Sequence, residues 1–391
     1  VREKHDSEKI IFTALLVSGG ALFLPLYEVR PNRVAEGFSA GILSLPEPSW
    51  LILPLVPLLL FAALLLSPQG RLRSAILASS TAAGTAALLL FLALVSRYYA
   101  LNGPATVRTG PAIGMVFLLF ALLIPLIGLG FSRSRLFVST AVIGVLIIFF
   151  LTANGFDTLG IVREALNRRD RLLAEIINHL RLSLSSVAIA SVIGIPAAFL
   201  AAKRKKTRSV IFGIINIFQT IPSIALFGLL IAPIAALGRA FPLLREMGIR
   251  GIGDAPAIIA LATYSLFPII RNTFSGIEGL SRPVLDAAEA MGMNERQLRR
   301  IIILPNTMPF IVHGIRLAVI QSIGNATLAK LIGAGGLGVF IFEGLGQSSI
   351  DMVLLGIIFL AALTIAADGG LQFAGWFLTP KALRGRFGEE S

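Results

Sequence analysis

Two carboxylates stand three residues apart in Asp286-Ala287-Ala288-Glu289; Gly292 follows, and after nine more residues comes Ile302-Ile303-Leu304-Pro305. At that spacing Asp286 and Glu289 share one face of a helix, the alanines keep its surface shallow, and Gly292 can close it in the left-handed region. A second short helix is expected to stop before Pro305, because proline disfavours helical backbone at the residue preceding it. A knob of this kind, Asp286, Ala287, Ala288, Glu289 and Gly292 with Leu304 and Pro305 behind it, has the chemistry of docking to another protein. Catalysis is not expected: no Ser-His-Asp set or paired-carboxylate site appears, and the three histidines have no partners at metal-ligand spacing. The glycines Gly333, Gly335, Gly336 and Gly338 lack the Lys-Ser or Lys-Thr that a phosphate loop requires, so they are read as a gate or re-entrant turn. With Val17-Ser18-Gly19-Gly20 inside an apolar run, no ATPase site is expected in this chain and no cofactor. A third group, Gln219, Thr220, Pro222, Ser223, Tyr264, Asn325 and Thr327, lies within or beside apolar runs. Unpaired polar groups are costly in lipid, so these residues either line a solute pathway or hydrogen-bond between helices.

The elements that must position these residues are membrane helices. Of 391 residues 55% are apolar and 14% charged, against roughly 25% charged in a soluble domain, which excludes disordered and ordinary soluble classes. Apolar runs of ~18 to 23 residues are long enough to cross a ~30 Å hydrocarbon layer, giving an all-α polytopic bundle of about ten spans. These fall near 10–27, 51–66, 74–95, 111–131, 136–153, 182–202, 209–237, 256–270, 307–328 and 351–368, with kinks expected at Pro222, Pro233 and Pro268. The first run follows a mixed-charge head without a small-residue cleavage site and is read as a retained helix. Absence of cysteine excludes disulfides and thiolate metal sites. The net charge of +13 is assigned to basic cytoplasmic loops, since no aromatic and basic interleaving suggests nucleic acid. With the N-terminus inside, inner segments hold 20 Lys and Arg and outer ones 13; both termini are therefore expected in the cytoplasm, with Lys203-Arg204-Lys205-Lys206 the strongest anchor.

Between Ile161 and Leu180 apolar residues recur at helical spacing while Arg163, Glu164, Arg168, Asp170, Arg171 and Glu175 take the other face, so 154–181 is expected to lie along the outer membrane surface. The chain is accordingly divided into a five-span block at 1–153, this interfacial helix, a core at 182–370 with the motif loop at 282–306, and a cytoplasmic tail at 371–391. Ala190, Gly194, Ala198 and Ala202 recur every four residues and allow close helix approach. His313 and Arg316 are placed near the inner interface, with Arg316 snorkelling to water.

The stretch from Asp286 to Pro305 resembles the EAA loop of ABC-importer permeases, in which E-A-A, three residues, G, nine residues, I, one residue and L-P recur. Every spacing agrees, and Asp286 replaces the usual Glu. Gln219-Thr220-Ile221-Pro222-Ser223, the run from Ala262 to Thr273, and Leu331-Ile332-Gly333-Ala334-Gly335-Gly336-Leu337-Gly338 resemble permeases for glycine betaine, choline and related osmoprotectants. The likeness covers about Leu180 to Leu345; a longer subgroup of such permeases carries an N-terminal extension. The resemblance implies a bacterial inner-membrane permease subunit that takes up a quaternary-ammonium osmoprotectant by alternating access. Its implied partners are ABC ATPase subunits carrying ATP and Mg, a second permease subunit, an extracytoplasmic substrate-binding protein and membrane lipid. An importer of an amino acid or oxyanion is the alternative within the class. A secondary transporter would need a coupling-ion site, which the sparse intramembrane charge argues against.

Overall fold

The computed structural model describes residues 2–32, 35–66, 71–128, 158–246 and 248–378. The span read at 136–153 and the end of the tail, 379–391, lie outside them. The chain forms two compact units, Val1–Asn167 and Arg168–Ser391.

The first unit is built from α1 (Arg2–Ala21), β1 (Tyr27–Arg30), β2 (Phe38–Ala40), α2 (Ile52–Leu66), α3 (Arg71–Asn102), β3 (Arg108–Pro111), α4 (Ile113–Gly128) and α5 (Gly160–Asn167). Its helices agree with the helical class, but the strands were not foreseen. They form an antiparallel sheet in the order β2-β1-β3, with Tyr27 opposite both Ala40 and Pro111. In Tyr27-Glu28-Val29-Arg30 the apolar residues face inward at 0% and 3% exposure, and Glu28 and Arg30 pair on the other side at 2.8 Å, which is the period-two alternation of a strand. The expected span at 10–27 therefore ends at Ala21. Its apolar part, Ile10–Ala21, reaches only ~18 Å as a helix. The unit's core is made of Leu26, Tyr27, Phe61, Leu88, Phe91 and Met115, all fully buried. Glu164 on α5, assigned to a water-facing side by periodicity, is instead buried at 2% exposure and receives a hydrogen bond from Arg108 at 2.9 Å.

The second unit contains α6 (Arg169–Lys203), α7 (Lys205–Thr220), α8 (Ser223–Ala240), α9 (Pro242–Glu246), α10 (Asp254–Glu278), α11 (Arg282–Ala290), α12 (Leu304–Ala326), α13 (Gly338–Gly346) and α14 (Ile350–Leu378). The segment 154–181 is not one interfacial helix. The backbone breaks at Arg168, and from Arg169 the helix continues directly into the span. Likewise 209–237 is two helices rather than a kinked one, separated at Ile221-Pro222, because Pro222 starts α8 as its N-cap. α10 is longer than the expected 256–270: Pro268 sits inside it without ending it. α14 runs on to Leu378, so the tail does not begin at 371.

Helices α6, α10 and α12 pack against one another along small residues. A Cβ on Gly194 would lie 3.2 Å from Ile269, and one on Gly314 only 2.9 Å from the Pro268 carbonyl. Ala190, Gly194 and Ala198 are buried on α6 as expected, but the next buried residue is Ala201, and Ala202 is exposed. At ~100° per residue, Ala201 lies within roughly 20° of Ala190 around the helix and Ala202 roughly 120° away. Among the described residues seven helices are long and apolar enough to cross a membrane, and Ile113–Leu122 is a shorter apolar one.

Candidate functional site

The motif loop folds as two caps back to back. In α11, Pro283 occupies the first turn, where its missing N–H costs nothing. The helix then closes on Gly292, whose φ is +76° and whose added Cβ would meet open space. Gly292 N–H donates to the Glu289 carbonyl at 2.9 Å and Met293 N–H to the Ala288 carbonyl at 3.2 Å, the paired bonds of a Schellman closure. Two residues later Asn294 opens the next turn: its Oδ1 accepts from Arg296 and Gln297 N–H, while Gln297 Oε1 accepts from Asn294 N–H at 2.9 Å. Such reciprocal bonds satisfy donors that the helix start leaves open. Ala288 is the buried anchor, while Asp286, Ala287, Glu289 and Gly292 are exposed, as are the apolar side chains of Val284, Met291 and Ile301.

The second part of the motif departs from expectation. Glu295–Gln297 does not stop before Pro305; a π-helical stretch, Leu298–Ile303, carries the backbone into α12, where Pro305 falls in the first turn. The wider turn accommodates a residue without an N–H, and Asn306 Nδ2 donates to the Ile302 carbonyl at 2.6 Å. The loop is thereby joined rigidly to a helix ~34 Å long at about 1.5 Å per residue.

Of the polar set, the structure brings Gln219, Tyr264 and the Ile221-Pro222 break together. Proline at 268 cannot donate to the carbonyl four residues earlier, that of Tyr264, and this same carbonyl accepts from Gln219 Nε2 at 3.0 Å. The Tyr264 hydroxyl in turn donates to the Ile221 carbonyl. These bonds make the pair an interhelical joint. Thr220 and Thr327 donate to carbonyls on their own chain segments, of Ile217 and Gly324, each at 2.8 Å. Ser223 and Asn325 are part-exposed.

At the far end of α12 a 3-10 segment, Thr327–Ile332, leads into the glycine turn. Gly333, Gly335 and Gly336 have φ of +80°, +79° and +84°. A Cβ at Gly338 would fall 1.9 Å from the Thr327 carbonyl oxygen, so only glycine fits. Three side chains of α6 hold this turn. Glu175 Oε2 accepts from Gly336 N–H at 2.6 Å, Asn178 Nδ2 donates to the Ala334 carbonyl at 2.7 Å, and His179 Nδ1 accepts from Leu337 N–H at 3.2 Å. His179, fully buried, donates from Nε2 to the Ile323 carbonyl at 2.9 Å. Nδ1 accepts, so the ring is neutral. Beyond the turn, Glu343 takes bonds from Arg171 at 2.7 Å and Lys330 at 3.1 Å. The Arg171 hydrogen bond, aided by Lys330 and opposed by burial, holds the Glu343 carboxyl below the usual carboxylate range.

Comparison with known proteins decides what this arrangement belongs to. Residues 190–373 match the family described as binding-protein-dependent transport system inner membrane component. The carnitine transport permease OpuCB of Listeria monocytogenes is 37% identical over 54% of this chain and 90% of its own length. The choline transport system permease OpuBB of Bacillus subtilis is 36% identical over 54% and 91%, and the osmoprotectant import permease OsmW of Salmonella typhimurium 36% over 53% and 91%. The chain belongs to this family of ABC-importer permeases. The permease is thus the inner-membrane component of an importer that works with a substrate-binding protein and an ATPase. Its residues 7–162 match the N-terminal domain of the ABC transporter permease YehY.

Sequence reasoning missed several residues of the permease's second unit. Glu175, Asn178 and His179 carry a readable signal, since positions i, i+3 and i+4 share a helix face, but the backbone groups they hold in the glycine turn lie over 150 residues away. Arg316 does not snorkel; it makes a two-pronged pair with Asp368 on α14, one bond at 2.9 Å. Asp368 lies in the span read at 351–368, so the sequence shows both charges but not that they pair.

Proposed function

We propose that the permease imports a quaternary-ammonium osmoprotectant such as glycine betaine, choline or carnitine, with Asp286, Ala287, Ala288, Glu289, Gly292, Leu304 and Pro305 as the contact to its ATPase. The observation that carries the coupling role is the knob itself: exposed carboxylates and apolar side chains on a short helix that closes at Gly292 and leads through a capped turn into α12. The substrate class rests on the relatives named for carnitine, choline and osmoprotectant transport. Two permease subunits, identical or homologous, would bind two ATPase subunits holding ATP and Mg. The loop would face the cytoplasm with both termini, as the basic asymmetry supports. Closure of the ATPases would press the loops together and open the core to a loaded binding protein, and Thr220, Ser223, Asn325 and Thr327 are the pathway candidates whose exposure leaves them free to meet solute. The 1–153 block would be accessory to coupling.

The substrate reading is tested by reconstituting the permease with its ATPase and binding protein in liposomes and measuring ATP-dependent uptake of labelled glycine betaine, choline, carnitine, histidine and sulfate. Saturable uptake of one of the first three is expected. Uptake of histidine or sulfate alone would replace this reading with the amino-acid or oxyanion alternative.

A further inference from the structure

We propose that Glu175, Asn178 and His179 are the latch that closes the permease on the face opposite the coupling loop, and that solute entry requires them to release the glycine turn. The direction of transport is taken from the importer reading above.

Position comes first. The turn begins where the helix starting at Leu304 ends, so loop and turn stand at opposite ends of one element about as long as the hydrocarbon layer is thick. A push on the loop moves α12, and α12 carries one side of the joint while α6 carries the other.

The chemistry of the joint suits one that opens. Three side chains on one face of α6 bind three backbone groups of a single turn. Gly336 and Leu337 lie just before α13, where N–H groups have no helical partner and the helix dipole favours a negative charge; Glu175 supplies it. Closed, these three backbone groups are paired, two by part-buried side chains and one by the fully buried His179, whose low-dielectric surroundings strengthen its bonds. Opened toward water, each can exchange its partner for solvent at small net cost, whereas parted apolar surfaces could not. Glycine permits the approach: a Cβ on Gly335 would stand 2.7 Å from Asn178 Nδ2, and one on Gly336 2.9 Å from His179 Nδ1. Asn178 also accepts from Arg181 at 2.8 Å, and Arg181 pairs with Asp254 at the start of α10. The latch therefore reaches all three packed helices.

The chain has no cysteine, so an engineered pair stands alone. A Cβ on Gly336 would lie 3.6 Å from His179 Cβ, within the range of a disulfide. The double variant His179→Cys and Gly336→Cys, assembled with ATPase and binding protein in liposomes, is expected to lose at least ten-fold of its uptake on oxidation and to recover it with dithiothreitol. The ATPase should stay bound throughout. Glu175→Ala, which loosens the latch without a bridge, should raise ATP hydrolysis in the absence of binding protein several-fold. Glu175→Gln keeps an acceptor oxygen and should bring it back toward the unmodified rate. Because Gly336 has φ +84°, the comparison is read on a reduced pair that transports: equal uptake after its oxidation, or unchanged hydrolysis in Glu175→Ala, overturns the latch. If the unmodified permease takes up no quaternary-ammonium solute while oxidation still controls ATP hydrolysis, the substrate reading fails and the latch stands.

Discussion

Gln219 acquires its role from a missing hydrogen. Because Pro268 leaves the Tyr264 carbonyl without its helical donor, Gln219→Ala should strand a buried acceptor and cost about 1–3 kcal/mol. In a Pro268→Ala background the helix supplies that donor, and the same substitution should cost well under half as much. Thermal unfolding of the detergent-solubilised single and double variants measures this coupling; equal costs in both backgrounds would sink the explanation. The polar residues themselves were legible in the sequence, but what they do was not. The identity of the orphan carbonyl follows from proline chemistry alone, whereas the element that reaches it depends on how α7 and α10 cross. Arg316 shows the same limit: its charge in a span was evident, yet its mate Asp368 is found only once α12 and α14 are packed.

At the scale of elements, the glycines separate by what surrounds them. Gly338→Ala should destabilise the second unit severely, because its Cβ would overlap the Thr327 carbonyl at 1.9 Å. Gly213→Ala meets nothing within 4 Å in the middle of α7 and should be neutral or stabilising by about 0.5–1 kcal/mol. The sequence presents both as glycines beside apolar residues and cannot rank them. It does mark Gly292, since a helix-stopping glycine after a nine-residue amphipathic stretch is a local signal. The π-helical passage through Pro305 is not local, because the longer element that continues from it is held by α6 and α10. The ion cluster around Glu343 gives a pH test. Its carboxyl is held below the usual value in the folded state, so it contributes stability above the unfolded value of about 4.3, and that contribution is lost as pH falls through the lower folded value. The melting temperature should therefore drop on acidification below about pH 4, and the part of that drop due to this site should vanish in Glu343→Gln. Identical acid profiles for the two proteins would remove Glu343 from the account.

For the whole molecule, the membrane class was evident from composition, because long apolar helices, seven of them among the described residues, need no tertiary information to be seen. The small sheet of the first unit escaped because three- and four-residue strands give no periodicity over a helix-sized window. The glycine closure at Gly292 was legible because it is local, and the contacts of Glu175, Asn178 and His179 were not, because they join side chains to backbone far along the second unit. If the first unit is accessory, a chain beginning at Asn154 should insert and still bind the ATPase, as measured by co-purification; loss of binding after verified insertion would make that unit integral. The central claim is that the knob at Asp286–Gly292 transmits ATP hydrolysis to transport. Gly292→Trp places a bulky L-residue at φ +76° and disrupts the closure, and Glu289→Lys reverses a charge on the exposed face. The deciding measurement is ATP-driven uptake and ATP hydrolysis recorded together in liposomes for these two variants beside the unmodified permease. Normal insertion with uptake reduced at least ten-fold in both is the predicted result; uptake at the unmodified rate in both would contradict it.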